Sequence, residues 1–499
     1  MSDVLERADT QLLALYGQDV FTRGRDPAAV LRPTNVEALV EGIRAARGMT
    51  IVPRGGGMSY TSGYLADADD VLLVDTGALD RILAIDETNM TVVVEAGVTW
   101  AGLYAALHPR GLRTPVWGTL SGIKATVGGG MSQNGTFWGA RNGSIGPQAL
   151  SMDVVLADGT LVRTGSDVLR PFGPDVTGLF AGDCGAFGVK ARVTLPLAPE
   201  ADALAYGSFA FDDPAALTAA TSAIARAGLA SECFGFDPFL QSQRMKRDSL
   251  AGDAKALVGM MKAQGGFWRG LKEGAKVVAA GRSFLEGAAF SIHCIAEGRS
   301  QATADADMNA IRRIAATHGG HEVENTIPKV LRANPFPPVN SMLGPNGERW
   351  VPVHGVVAHA NALPTIEAII ALYDDHADAM EMLRVGAGYM FLAVGRTGFL
   401  IEPVFYWPDA RDALHEASVE PAHLARLARH DANPEARALI DTLRAGVIDI
   451  LGGVGAVHFQ IGRAYPLKNR SHPAAWALLE AVKRAADPTG QMNPGVIGL

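Results

Sequence analysis

The chain has 499 residues, of which 48% are hydrophobic and 19% charged, and this length and composition are typical of a folded protein with two domains. Acidic residues outnumber basic ones by 52 to 44, and the resulting net charge of −8 argues against nucleic acid or an anionic membrane as a partner. The three cysteines are far apart, which excludes a disulfide framework, an iron–sulfur cluster and a thiolate zinc site.

Two features of the sequence bear on its cellular location. The first residues include early acids and lack the basic and apolar regions of a signal peptide. Every apolar stretch is interrupted before it reaches the length of about 18 residues that a membrane-spanning helix requires. We therefore expect a cytoplasmic protein with no membrane span.

The N-terminal part of the chain is predicted to alternate short strands with short helices. Apolar side chains recur at helical spacing in residues 35–47, and Thr34 and Glu37 have the spacing of a capping box. Asp158 and Gly159 separate two apolar runs and predict a hairpin, because these residues tolerate the dihedral angles of a tight turn. Runs rich in valine and isoleucine predict strands at residues 50–53, 71–75, 82–85 and 91–95.

Beyond about residue 200 the pattern changes to longer alanine-rich helices and predicts an α+β second domain. Residues 234–281 have little clear period and are expected to form a mobile excursion or a cap. A last helix begins at residue 474, and we expect the apolar tail after it to be extended and packed against the rest of the protein. The other predicted elements are helices at residues 214–227, 300–317 and 364–379 and strands at residues 288–296 and 399–406.

The motifs of several common enzyme classes are missing. The sequence has no P-loop, no GxGxxG after a strand, no GxSxG and no HExxH, which argues against a P-loop kinase, a Rossmann dehydrogenase, an α/β-hydrolase and a zincin.

Two glycine-rich segments stand out instead. The first glycine cluster, PRGGGMSYTSG, covers residues 53–63, and the second glycine cluster, TVGGGMSQNG, covers residues 126–135. Either cluster alone is compatible with a tight turn, but backbone amides without Cβ atoms can also surround phosphate oxygens. The pair therefore favours a diphosphate ligand, and we expect the neighbouring Arg54 and Arg141 to contact this anion.

An ordered series of motifs resembles the vanillyl-alcohol oxidase/p-cresol methylhydroxylase (PCMH) superfamily of FAD-dependent oxidoreductases. The series is PRGGGMSYTSG, TVGGGMSQNGTFWGARNGS, MDVVLADGTLVRTG, TGLFAGDCGAFGV and ADPTGQMNPG. The resemblance is strong over about residues 32–197, good from about residue 452, and loose between them. It implies an α+β fold with a PCMH-type FAD-binding domain of two subdomains in residues 1–200. An α+β cap that supplies the substrate pocket would follow in residues 201–450, and residues 451–499 would return to the FAD domain.

The resemblance also implies which residues hold FAD. Some members attach FAD covalently to a histidine after the first triple glycine, where this chain has Met58, and the anchoring histidine of the cap is missing as well. We therefore expect non-covalent FAD. Ser144 stands where the vanillyl-alcohol type has an aspartate near the flavin. The residues implied in FAD binding are Pro53, Arg54, Gly55, Gly56, Gly57, Met58, Ser59, Val127, Gly128, Gly129, Gly130, Ser132, Ser144, Gly185, Gly188 and Val189.

The phenol-oxidising branch of the superfamily suggests the catalytic residues. That branch places an arginine and a tyrosine over the flavin, and the segment IGRAYPL supplies Arg463 and Tyr465. A cation beside a phenol lowers its pKa and so favours loss of a hydride from the para carbon. The full set of implied catalytic residues is Arg463, Tyr465, His458, Glu402 and His354. The residues Trp117, Tyr389, Phe405 and Tyr406 are either walls for an aromatic substrate or ordinary core.

These observations predict an FAD-dependent oxidase or dehydrogenase that transfers a hydride from the CH–OH carbon of a phenolic or benzylic alcohol to flavin N5. One alternative is a D-2-hydroxy-acid dehydrogenase, in which Arg463 pairs with the substrate carboxylate and His458 takes the hydroxyl proton. Another is a flavin-binding protein without net redox turnover. Oxygen, a redox protein or a quinone would accept the electrons, and we expect a homodimer. No ligand cluster in the sequence supports a metal on His354, His359 and Glu402, so none is predicted.

Overall fold

A small parallel sheet and a larger antiparallel sheet form the N-terminal part of the protein. The structure is a computed structural model and describes residues 10–65, 68–171, 173–247 and 290–499. The parallel sheet has the strand order β1-β3-β2, with β1 at Ala29–Leu31, β2 at Thr50–Arg54 and β3 at Val71–Asp75. The first glycine cluster begins at the end of β2 and therefore at the carboxyl edge of this sheet.

The second sheet has five antiparallel strands in the order β4-β5-β9-β7-β8. The predicted hairpin is present between β7 and β8, and Gly159 in its turn has a φ of +80°, which glycine adopts readily. The strands of this part are β4 at Ile82–Asp86, β5 at Thr91–Glu95, β6 at Leu112–Arg113, β7 at Ser151–Val155, β8 at Leu161–Gly165, β9 at Val189–Pro196 and β10 at Ala198–Pro199.

The cap is built on an eight-stranded antiparallel sheet with the order β14-β11-β13-β12-β17-β18-β15, where β16 also pairs with β18. All ten residues of β18 are buried, and this strand pairs with β17 on one side and with β15 and β16 on the other. The strands are β11 at Ala203–Phe211, β12 at Glu232–Phe236, β13 at Phe290–Gly298, β14 at His321–Val323, β15 at Arg349–Pro352, β16 at Gly355–Ala358, β17 at Gly386–Val394 and β18 at Gly398–Trp407.

The described residues also form a two-stranded antiparallel sheet of β6 and β10, and helices cover the faces of the three larger sheets. In the described residues they are α1 at Thr10–Tyr16, α2 at Val36–Ala45, α3 at Trp100–Leu107, α4 at Val127–Gln133, α5 at Pro214–Ala227, α6 at Pro238–Arg247, α7 at Gln301–Thr317, α8 at Thr326–Ala333, α9 at Ala362–Asp374, α10 at Ala377–Met382, α11 at Ala413–Ser418, α12 at Pro421–Leu424, α13 at Pro434–Gly453, α14 at Leu467–Arg470 and α15 at Pro473–Ala486. Within this part of the chain, no helix is both long and apolar enough to cross a bilayer.

Several predicted elements differ from those in the structure. Asn35, and not Thr34, caps α2, because its side chain accepts a hydrogen bond from the amide of Ala38 at 2.8 Å. The single helix predicted at residues 364–379 is two helices, α9 and α10. Residues 234–281 were predicted to form a mobile excursion or a cap, and the part that the structure describes forms the end of β12, a strand of the cap sheet, and all of α6; the rest lies outside the described residues.

The C-terminal tail packs against the N-terminal sheets. The amide of Ile51 on β2 donates to the carbonyl of Gln491 at 2.8 Å, and the Asn493 side chain donates to the carbonyls of Gly63 and Cys184. The tail is packed as predicted, with Val496 fully buried, but it ends in a 3₁₀ turn and is not extended throughout. This contact brings the tail beside the first glycine cluster.

Candidate functional site

The two glycine clusters meet in space. A Cβ atom on Gly55 would lie 2.5 Å from Oγ1 of Thr126, and one on Gly56 would lie 2.0 Å from the carbonyl oxygen of Lys124. Both distances are shorter than any real contact of a Cβ atom, so side chains on the first cluster would force the two segments apart. The glycines are therefore needed for close packing of one backbone against the other.

The backbone amides of the two clusters differ in what they can bind. In the second cluster Thr126 caps α4 by accepting from the amide of Gly129, while the amides of Val127 and Gly128 donate to carbonyls at 2.8 Å. The amides of residues 55–58 take part in none of the hydrogen bonds found among the described residues. The first cluster therefore offers the free donors for an anion, and the second mainly shapes the space beside it.

The two clusters line one cleft that is open to solvent. Nine of the residues predicted to bind FAD line it: Pro53, Arg54, Gly55, Gly128, Gly129, Ser132, Gly185, Gly188 and Val189. The sequence analysis missed seven more: Gly63, Tyr64, Thr76, Ala96, Gln133, Cys184 and Lys190. Gly63 and Gln133 lie within the two clusters, and Cys184 and Lys190 flank the predicted Gly185 and Val189, so chain proximity was a usable signal for these four.

The other residues predicted to bind FAD lie outside the lining of this cleft. Gly130 backs onto Trp100, because a Cβ atom there would lie 2.7 Å from the indole nitrogen. Met58 packs against the core of the cap. Arg141 donates to the carbonyl of Leu229 in the cap at 3.3 Å and does not line the cleft. The remaining residues outside the lining are Gly56, Gly57, Ser59, Val127 and Ser144.

Arg54 supplies positive charge to the cleft. Its side chain is 7% exposed and lies between the rings of Tyr16 and Tyr64, at 4.8 and 5.5 Å. Its Nε is buried without a hydrogen-bond partner. Lys190 also lines the cleft, but its ammonium group is paired with Asp183 at 2.7 Å. A buried guanidinium with a free donor beside unpaired backbone amides fits the diphosphate of FAD.

The predicted catalytic residues lie where the cap meets the C-terminal segment. The hydroxyl of Tyr465 accepts from the amide of His354 at 3.0 Å and lies 3.3 Å from Nδ1 of the same residue. The ring of His354 stacks on Phe459, and the ring of His458 stacks on Tyr465, both with centroids 4.0 Å apart. Four of the five predicted catalytic residues form one group with Tyr60, which we call the tyrosine–histidine cluster: Tyr60, His354, Glu402, His458 and Tyr465.

Both histidines of this cluster are neutral at physiological pH. Burial lowers the pKa of His354 to about 3, with a further contribution from His458, and burial lowers the pKa of His458 to about 4. Nε2 of His354 donates to the carbonyl of Phe459, which leaves Nδ1 to accept from the hydroxyl of Tyr465. Nδ1 of His458 donates to the carbonyl of His354 at 2.7 Å, and its Nε2 accepts from Arg470.

Tyr60 and Gln460 were missed by the sequence analysis. The side-chain amide of Gln460 donates to the hydroxyl of Tyr60 at 3.2 Å, and its backbone amide donates to the carbonyl of Gln133, which lines the cleft. Burial raises the pKa values of Tyr60 and Tyr465, and the nearby Glu402 raises both further. Gln460 thus links the tyrosine–histidine cluster to the cofactor cleft, a link that depends on contacts across 400 residues of chain.

Arg463 has a different position from the other predicted catalytic residues. Its guanidinium donates to the carbonyls of Ser62 at 2.7 Å and Pro494 at 2.8 Å, and to Oδ1 of Asn493 at 3.1 Å. These bonds join the first glycine cluster to the C-terminal tail. The structure therefore gives Arg463 an evident role in holding the two segments together.

The aromatic residues considered as substrate walls do not share one pocket. Trp117 stacks on Trp138 at 4.0 Å, in the core of the antiparallel five-stranded sheet. Tyr389 and Phe405 both contact Tyr373 in the core of the cap, while Tyr406 belongs to a separate cluster.

His359 does not join His354 in a metal site. Its ring nitrogens contact the Ser222 hydroxyl and the carbonyl of Arg396, each at 3.0 Å. A search of the described ranges finds no group of three or more metal-ligating side chains.

Comparison with known families agrees with this geometry. Residues 27–165 match the FAD binding domain family, and residues 453–497 match the C-terminal domain of FAD-linked oxidases. The first segment contains both glycine clusters, and the second contains Gln460, Arg463 and Tyr465.

Curated relatives match parts of the chain. Glycolate oxidase subunit GlcD of Bacillus subtilis is 30% identical over 35% of this chain and 37% of its own length. Alkyldihydroxyacetonephosphate synthase of Caenorhabditis elegans is 27% identical over 50% of this chain and 43% of its own length. D-lactate dehydrogenase [cytochrome] 1 of Saccharomyces cerevisiae is 28% identical over 37% of this chain and 32% of its own length. The chain thus matches less than half the length of each of these relatives.

Solved structures share the fold over almost the whole chain. p-Cresol methylhydroxylase with substrate bound has a TM-score of 0.72 at 16% identity and covers 100% of this chain and 94% of its own. 4-Ethylphenol oxidase from Gulosibacter chungangensis has a TM-score of 0.68 at 18% identity with the same coverage. An alkyldihydroxyacetonephosphate synthase has a TM-score of 0.65 at 15% identity and covers 94% of this chain and 76% of its own.

Fold and cleft together define an FAD-binding flavoprotein with an α+β architecture. The chain carries an FAD binding domain and the C-terminal domain of FAD-linked oxidases, and its fold is similar to that of p-cresol methylhydroxylase, in agreement with the resemblance seen in its motifs.

Proposed function

We propose that the protein is an FAD-dependent oxidoreductase that removes a hydride from the CH–OH carbon of a phenolic or benzylic alcohol. The observation that carries this proposal is the composition of the tyrosine–histidine cluster, which combines two tyrosine hydroxyls and two neutral histidines with the buried carboxyl of Glu402. When bound, FAD supplies the hydride acceptor. The chain itself must bind the alcohol and hold its hydroxyl proton.

The charges around the cluster favour an uncharged substrate. Glu402 would repel a substrate carboxylate at short range in a buried site. The nearby arginines already have acceptors: Arg444 donates to the carbonyl of Tyr60 at 3.4 Å, and Arg470 donates to His458 and to the carbonyl of Ile448. A hydroxy acid would have to displace a contact of Arg470 or pair with the buried Nε of Arg444, which has no hydrogen-bond partner among the described residues, whereas a neutral alcohol needs no ion pair.

Tyr465 is the residue we assign to the substrate hydroxyl. Its oxygen already accepts from the amide of His354, so its position is fixed by the backbone. Its proton points to Nδ1 of His354, which carries no proton because Nε2 donates to Phe459. This arrangement lets the Tyr465 oxygen accept a hydrogen bond from an alcohol while its own proton is shared with the imidazole.

Anaerobic substrate titration tests this assignment. Purified holoprotein is mixed without oxygen with 4-hydroxybenzyl alcohol, benzyl alcohol, D-lactate or D-glycerate, and the flavin absorbance is followed. Bleaching by the aromatic alcohols and not by the acids is expected. Bleaching by the D-2-hydroxy acids alone would overturn the proposed substrate class.

Two other functions have support from particular relatives. A D-2-hydroxy-acid dehydrogenase is favoured by the matches to the glycolate oxidase subunit and the D-lactate dehydrogenase. A flavoprotein without net redox turnover is favoured by alkyldihydroxyacetonephosphate synthase, whose match covers half of this chain. Absence of bleaching with every alcohol and acid would support the second of these.

We also propose that FAD is bound without a covalent link. We propose further that each chain has the three predicted regions, residues 1–200, 201–450 and 451–499, and that the protein is a cytoplasmic homodimer. Met58 supports the first point, since a thioether does not form the attachment that a histidine does. The electron acceptor would be oxygen, a redox protein or a quinone. Reoxidation of the reduced protein by air on a turnover timescale would select oxygen, and light scattering would give the number of subunits.

A further inference from the structure

Tyr16 contacts the arginine of the cofactor cleft from outside the matched FAD-binding segment. It lies at the end of α1, before residue 27, and is 3% exposed. Its ring covers one face of the Arg54 guanidinium, with 4.8 Å between Cζ and the ring centroid. Its hydroxyl donates to Oδ2 of Asp75 at 2.6 Å. Tyr16 therefore contacts both a cation and an anion at the edge of the parallel sheet.

Asp75 is the acidic residue placed to neutralise Arg54. The two residues are register partners on the adjacent strands β2 and β3. The carboxylate of Asp75 is instead shared among other donors, which are the Tyr16 hydroxyl, the Gly77 amide at 2.9 Å and the Arg32 guanidinium at 3.2 Å. Arg54 has no carboxylate partner in the described part of the chain, and its Nε is unpaired.

We propose that Tyr16 is a positioning residue for the cofactor, because its hydrogen bond to Asp75 keeps that carboxylate from pairing with Arg54 and leaves Arg54 for the diphosphate of FAD. A guanidinium that is already paired must give up its carboxylate before it binds a phosphate, and this competition weakens binding. The proposal rests on FAD occupying the cleft and does not depend on the class of substrate.

The test measures FAD affinity and not activity. Full-length holoprotein is diluted in steps, and released FAD is measured by its fluorescence. Tyr16→Phe keeps the ring over Arg54 but removes the hydroxyl, and we expect the Kd of FAD to rise about tenfold, the effect of one hydrogen bond to a charged group. Adding Asp75→Asn to this variant removes the competing charge, and the Kd is expected to return to the wild-type value.

A matched control separates this effect from a general loss of stability. Tyr104→Phe also removes a phenol hydroxyl, one that accepts from Arg332 at 3.1 Å and lies outside the cofactor cleft, so the Kd of FAD is expected to stay unchanged. Circular dichroism of each variant reports whether it is folded.

Three outcomes would overturn the inference. A Tyr16→Phe variant that binds FAD as tightly as wild type would remove the role of the hydroxyl. A double variant as weak as Tyr16→Phe alone would show that Asp75 is not the competitor. A wild-type protein that takes up no FAD would overturn the cofactor assignment as well. This result is distinguishable, because it is seen with the wild-type protein before any variant is measured.

Discussion

The hydroxyl of Tyr465 contacts His354 twice, once at its backbone amide at 3.0 Å and once at Nδ1 of its ring at 3.3 Å. The first contact fixes the position of the hydroxyl, and the second fixes the direction of its proton. Because the ring is buried and its pKa is lowered to about 3, His354 stays a neutral acceptor through the physiological range. The pair therefore presents one preorganised oxygen to a ligand of the tyrosine–histidine cluster.

Removing this hydroxyl should impair turnover without releasing FAD. We expect Tyr465→Phe to lower kcat about 100-fold, the scale of losing one preorganised polar group, while the flavin content stays at the wild-type value. Stopped-flow bleaching under anaerobic conditions measures the effect. Tyr373→Phe, in the core of the cap, is the matched control and should keep its rate. Equal rates for Tyr465→Phe and wild type would remove Tyr465 from the reaction.

Arg54 should determine how tightly FAD is held. Replacement by leucine removes the unpaired cation of the cleft, and we expect the Kd of FAD to rise about 10- to 100-fold. Arg54→Lys keeps the charge but loses the planar guanidinium between the two tyrosine rings, so an intermediate Kd is expected. Release of FAD on dilution measures both variants. A wild-type Kd for Arg54→Leu would contradict the assignment of Arg54 to the diphosphate.

The flavin should be separable from the polypeptide by acid. Met58 replaces the histidine to which some members of the superfamily attach FAD, so precipitation with trichloroacetic acid should leave the yellow colour in the supernatant. Absorbance of the supernatant and of the redissolved pellet gives the fraction released. Colour that stays with the pellet would show a covalent bond formed by another residue.

Arg463 should contribute to stability through the C-terminal tail. Arg463→Ala removes three hydrogen bonds that join the first glycine cluster to residues 493–494. Loss of these charge-assisted bonds should destabilise the fold by about 2–4 kcal/mol, and Arg463→Lys should recover part of the loss. Urea unfolding measures this effect, and kcat of the folded variant reports any additional role over the flavin. Unchanged stability would contradict the tethering role.

The protein should lose stability as the pH falls below about 6.5. Burial lowers the pKa of His293, His354 and His415 to about 3 and that of His458 to about 4, so the folded protein does not take up protons that the unfolded chain binds. Each histidine should therefore cost on the order of 1–2 kcal/mol of unfolding free energy between pH 6.5 and pH 5.

Urea unfolding at pH 7 and at pH 5, with FAD in excess, measures this loss. His293→Gln should make the dependence on pH shallower, because the ring nitrogens of His293 contact the hydroxyls of Ser208 and Ser291, which an amide side chain can also contact. Burial raises the pKa of Glu232 to about 8 and that of Asp237 to about 6, and these two carboxyls act in the opposite direction in this range, so the test compares His293→Gln with wild type. The same pH dependence in both proteins would contradict the neutral state of His293.

Local signals in the sequence predicted much of the fold. Three elements have the predicted bounds: the strands at residues 71–75 and 91–95 and the helix at residues 214–227. Runs rich in valine favour the extended backbone of a strand, and a proline at the first position of a helix favours its start. The cap of α2 was assigned to Thr34, but the helix begins at Val36, one residue later than predicted, so Asn35 occupies the capping position.

The sequence by itself predicted two glycine-rich segments that come together around a phosphate-bearing cofactor, because backbone without Cβ atoms can approach another segment and phosphate oxygens closely. Tertiary structure decided which groups are free to act there. In the second cluster the amide of Gly129 donates to the side chain of Thr126, which caps α4. The guanidinium of Arg463 is bound to the C-terminal tail, and the side chain of Gln460 is bound to Tyr60. These contacts join residues that are far apart in the chain. A donor can bond only to an acceptor that folding brings within reach, so the sequence alone does not show which donors remain free for a ligand.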